Sequence, residues 1–147
     1  MMLPYRGEGG MATHADFVVR NMDAGRTYLQ WGLQSLVSGG DTSGLRSEMP
    51  YAVRAVEDAE ILYNRIFGEV ARKELADPSV LDRYSVLADY IAKAKQALAQ
   101  VDDALRKANG QADPLFIGQI SKPILSLQEI VAQGKKDFSE MPEYRLN

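Results

Sequence analysis

Apolar residues recur at Val80, Tyr84, Leu87, Ile91, Ala94, Leu98, Val101, Leu105 and Ala108, and after one step of four the spacing alternates three and four without a miss. This is the seam of a long helix packed lengthwise against other helices. The opposite line, Asp82, Asp89, Gln96 and Asp103, is polar, while Ala88, Ala97 and Ala104 widen the buried face beyond that of a two-stranded zipper. A bundle interior has that breadth. Asp77-Pro78 supplies an N-cap followed by proline at the first helical position, and Gly110 a left-handed stop, so the pattern predicts a helix over 78–109.

Three more stretches carry the same period. The first runs from about 14 to 38, with Thr13 and Asp16 as a capping pair and a seam of Val18, Met22, Gly25, Leu29, Gly32 or Leu33, and Leu36. Two glycines on a buried helical line each cost about 1 kcal/mol against alanine, which predicts a packing reason: close approach of a neighbouring helix. Gly39-Gly40-Asp41-Thr42-Ser43-Gly44 then reads as the longest interior loop, exposed and mobile, with Leu45 its one apolar neighbour before a cap at Ser47 or Met49. It follows a helix rather than a strand and matches no phosphate-loop spacing. The next helix is expected over 50–75, with Pro50 in its first turn and a seam of Ala52, Val56, Ala59, Tyr63, Ile66 and Val70, broadened by Leu62 and Phe67. Ala76 and Asp77 alone separate it from the 78–109 helix, which marks those two as the most secure antiparallel pair.

Asp113-Pro114 repeats the start signal for a helix over 114–138, with apolar positions at Ile117, Ile120, Ile124, Leu127, Val131, Gly134 and Phe138. Their phase passes through Pro123 unchanged, predicting one kinked helix rather than two. The expected fold is therefore all-α: a single-domain antiparallel four-helix bundle over 13–139, flanked by a flexible arm at 1–12 and an extended one at 140–147. A length of 147 residues suits one domain with a core that needs no covalent staple.

Composition narrows the chemistry. Seventeen basic and 20 acidic residues leave no overall charge that would favour nucleic acid or an anionic membrane. No cysteine is present, which removes disulfides and thiolate chemistry, and a single histidine, His14, cannot supply the paired Glu-x-x-His ligands of a di-iron bundle, a zinc site or an attached haem. No cofactor or metal is expected. Glu57, Asp58 and Glu60, like Asp102 and Asp103, diverge around their helices and read as solvated faces rather than paired catalytic carboxylates. Neither a signal peptide nor a membrane-spanning run is visible, so the expected location is the cytoplasm or the interior of a larger soluble particle.

What remains points to docking. Leu3, Pro4 and Tyr5 in one arm and Met141, Pro142, Tyr144 and Leu146 in the other are groups a free tail has no use for. Trp31 and Tyr28 lie off the main seam of the first helix and, with Phe17, would mark a partner face if exposed. The basic pairs Arg72-Lys73 and Lys135-Lys136 offset helix dipoles, and an antiparallel bundle would bring these two pairs to one end, where they offer an anion contact. The expectation is a non-enzymatic structural or assembly subunit docking on copies of itself or on other protein subunits of a larger particle, for example a virion. Two alternatives are a ligand-binding or sensory bundle, with a pocket opened by Gly25, Gly32 and the Pro123 kink, and an adaptor or chaperone holding a partner's amphipathic segment.

Overall fold

The computed structural model describes residues 11–73, 78–108 and 110–139. They form four helices: α1 (Met11–Gly39), α2 (Ser43–Lys73), α3 (Pro78–Lys107) and α4 (Pro114–Ser139). Each packs antiparallel on the next and α4 closes on α1, with a diagonal contact between α1 and α3, so neighbour order follows chain order. The predicted seams meet at the centre: Val18, Met22, Leu29 and Leu36 from α1, Val56 and Leu62 from α2, Leu87, Ile91 and Val101 from α3, and Ile120, Ile124 and Leu127 from α4 are all buried. Removing those side chains from water is the main stabilising term.

Helix starts differ from expectation at two places. α1 begins at Met11, so Thr13 lies within its first turn instead of capping it, and Asp16 pairs with Arg20 at 2.8 Å. Met11 and Ala12 contain no helix breaker. α2 begins at Ser43, seven residues before the expected position, which puts Pro50 inside the helix and shortens the connection to Gly40, Asp41 and Thr42. The cause is packing. Leu45 and Met49 continue the Ala52 and Val56 seam backwards at the same spacing and are both buried.

That short connection is pinned rather than mobile. Gly40 takes a φ of 76°, Asp41 accepts the Ser43 N–H at 3.0 Å and its hydroxyl at 2.6 Å, and Thr42 is buried. These two bonds hold the Asp41 carboxyl below the usual carboxylate range. The α1–α2 turn also pairs with the α3–α4 turn through an antiparallel bridge between Asp41 and Gln111: Thr42 N–H donates to Gly110 O at 3.2 Å, and Ala112 N–H to Gly40 O at 3.3 Å. Gly110, at φ 82°, is the left-handed stop expected after α3. Arg46, from the first turn of α2, donates to the carbonyls of Leu105 at 2.5 Å and Ala108 at 3.2 Å, satisfying acceptors left open at the end of α3. Asp113 caps α4 through the Phe116 N–H at 2.8 Å, and the helix runs unbroken through Pro123.

The closest packing falls between α1 and α2, not between α2 and α3. A methyl group built on Gly25 would lie 3.1 Å from Val56 Cγ2 and 3.2 Å from the Ala52 carbonyl, and one on Gly32 would lie 2.9 Å from the Cα of Leu45. The glycines therefore admit a neighbouring helix, and that helix is α2. The Asp77-Pro78 start lies partly outside the described residues, as do residues 1–10 and 140–147.

Candidate docking surfaces

Trp31 is 53% exposed and Tyr51 60% exposed, on adjacent faces of α1 and α2. Tyr28 sits between them: its ring meets Trp31 edge-on at 5.7 Å and lies tilted against Tyr51 at 5.5 Å. The close approach of α1 and α2 brings these three rings together across the helix pair. Phe17, expected beside Trp31 in an exposed strip, is instead partly buried against the core. Tyr51 takes the outer position, and only the antiparallel register of α2 on α1 puts it there.

A second surface lies between α3 and α4. A cleft of about 440 Å³ is lined by Tyr90, Gln96, Ala97, Gln100, Ile130 and Gln133, with Lys93, Ser126 and Glu129 also bordering it. A second, of about 460 Å³, follows towards the paired turns and includes Ala104, Ala108, Gln111, Phe116 and Gln119. At the other end of the first cleft the Tyr90 hydroxyl donates to Asp137 Oδ2, while Gln133 donates to Asp137 Oδ1 at 2.7 Å. Burial of the ring, then the hydrogen bond and charge of Asp137, push Tyr90 up to about 12, with Asp89 adding to the effect. The phenol is held as a neutral donor to Asp137.

Charged groups tie elements together. Lys135 on α4 meets Asp23 on α1 at 2.9 Å, and Arg26 meets the same carboxylate at 2.5 Å. Partial burial alone would raise Asp23, but the Lys135 and Arg26 hydrogen bonds and charges outweigh it and hold the carboxyl below its ordinary value. Lys136 is exposed, and the side chains of Arg72, Lys73 and His14 lie outside the described residues, as do Leu3, Pro4, Tyr5, Met141, Pro142, Tyr144 and Leu146. Of the acidic cluster on α2, Glu57 is exposed and Glu60 pairs with Lys95 at 3.2 Å, but Asp58 is 3% exposed, with Arg54 at 3.3 Å. The solvated-face expectation fails for Asp58 because it stands three residues after Ala55 and four before Leu62, both buried, on the same face of α2. Among the described residues no three His, Asp or Glu side chains converge as metal ligands, and no helix is long and apolar enough to cross a membrane.

Among the described residues, fold and surfaces together define an antiparallel four-helix bundle with an exposed aromatic face on α1 and α2 and open clefts between α3 and α4. No family model matches the chain, and no curated protein or solved structure matches it either.

Proposed function

We propose that this chain is a non-enzymatic assembly subunit, a helical bundle that docks on neighbouring protein subunits of a larger particle through the face formed by Trp31, Tyr28 and Tyr51. The observation that carries this reading is the exposure of Trp31 and Tyr51 around a shared Tyr28. Tryptophan and tyrosine dominate the energetics of protein interfaces because they combine a large apolar area with few rotatable bonds and a polar tip. Trp31 and Tyr51 stand outside the buried core of the described residues, where such rings serve contacts beyond the bundle. The terminal segments, with Leu3, Pro4 and Tyr5 on one side and Met141, Pro142, Tyr144 and Leu146 on the other, add contacts of the same kind. A virion or similar assembly is one setting for such a subunit.

Light scattering on the size-separated protein across the micromolar range tests this. Self-association is expected, weakened by about tenfold or more when Trp31→Ser and Tyr51→Ser are combined, with the helical melting curve preserved. Equal association by the double variant and the parent would overturn the assignment of this face.

A further inference from the structure

We infer that the groove between α3 and α4 is the seat for residues 140–147 of a neighbouring copy. The inference rests on the assembly reading above and names one of its contacts. The two clefts follow one another along α3 from Tyr90 to Lys107, a run of about 26 Å at helical rise. Eight residues of extended chain span about 26 Å, which matches that length. The groove has an apolar floor, Ala97 and Ile130 in the first cleft and Ala104, Ala108 and Phe116 in the second. Its rim is rich in amides: Gln96, Gln100 and Gln133 each offer a donor and an acceptor, the chemistry that pairs with peptide N–H and C=O groups. Lys93 and Glu129 in the first cleft and Lys107 and Asp113 in the second add charges of both signs, with Lys93 also paired to Asp89 at 3.0 Å and Lys107 to Asp103 at 2.9 Å.

The segment Glu140-Met141-Pro142-Glu143-Tyr144-Arg145-Leu146-Asn147 has the complementary pattern. In extended conformation side chains alternate, so Pro142, Tyr144 and Leu146 share one side, with Glu143, Arg145 and Asn147 on the other. The apolar side matches the floor, and the outward side carries charges of both signs, as the rim does. Direction decides whose segment enters. α4 runs along the groove and leaves it at Ser139, so a segment returning to its own groove must first reverse, using Met141 and Pro142 in the turn and leaving only Tyr144 and Leu146 as anchors. A neighbour's segment enters with all three.

Two variants and their mixture test this by light scattering. Ser126→Arg places a long cation across an exposed position of the first cleft, and Tyr144→Ser with Leu146→Ser removes two anchors. Each variant, checked for an unchanged helical melting curve, is expected to self-associate at least about tenfold more weakly than the parent. Mixed together they are expected to associate with each other, because one keeps an intact segment and the other an intact groove. Parental association by either variant, or a mixture no better than its components, would overturn the inference and leave the aromatic-face reading standing. A parent protein that stays monomeric throughout would overturn both.

Discussion

Between α1 and α2 the backbones nearly touch: Gly25 faces Ala52 and Val56, Gly32 lies against the Cα of Leu45, and a methyl group on Gly44 would collide with Ser35. Between α3 and α4 the facing positions include Gln96, Gln100, Ser126 and Gln133, and two clefts remain open. Both pairs are antiparallel, and both bury a seam of Leu, Ile or Val. What separates them is the residue beside the seam: glycine and alanine let one pair close fully, whereas in the other glutamine and serine hold polar tips in water at the mouths of the two clefts. The closed pair presents aromatic rings on its outside, and the open pair presents a channel. Tightness in one half and vacancy in the other are thus two outcomes of the same helical period.

The largest expected break in that contrast is at Gly32. Gly32→Val drives a branched side chain into the backbone of Leu45 and should cost ~3 kcal/mol in chemical denaturation. Gly118→Ala on α4, where nothing lies within 4 Å, should instead gain about 1 kcal/mol from helix propensity. Next comes the bond network at the paired turns. Arg46→Ala strips the Leu105 and Ala108 carbonyls of their donor and should cost about 1–2 kcal/mol, with faster amide exchange at the end of α3.

A smaller effect follows from acid. Asp23 has a folded-state pKa below its ordinary 3.8, so its pairing with Lys135 and Arg26 contributes stability above that value, lost as pH falls through the lower folded one. Asp23→Asn should flatten this part of the acid unfolding profile and cost under about 1 kcal/mol at neutral pH, because Lys135 is half exposed and solvent screens the pair. The smallest effect is expected in the groove: Ser126→Arg, at an exposed position, should change stability by no more than about 0.5 kcal/mol.

The helices are legible because their seams are nearly unbroken, and the continuity of α4 through Pro123 is legible because the phase of Ile120, Ile124 and Leu127 continues across it. The same argument applied to Leu45, Met49 and Ala52 places the start of α2 before Pro50. There the proline and the glycine-rich run before it obscure the phase, and the same glycines make a pinned turn read as a mobile loop. The glycines on the α1 seam announced a close neighbour, though not which helix would supply it. Burial of Asp58, the place of Tyr51 beside Tyr28 and the α3–α4 groove were not legible. Each depends on the rotation and spacing of two helices relative to one another, and a periodicity fixes only the face that one helix buries. Gln96 illustrates this: it belongs to the wet line of α3, but only the position of α4 turns it into the rim of a groove.

Hydrogen exchange on the full chain at low and high micromolar concentration tests the docking account most directly. Self-docking through the open half and the aromatic face predicts concentration-dependent slowing in segments covering 90–100, 126–133 and the Trp31 and Tyr51 neighbourhoods. The α1–α2 seam around Gly25 and Val56, already closed within one copy, should not change. Exchange that is independent of concentration everywhere, or slowing confined to the α1–α2 seam, would contradict it.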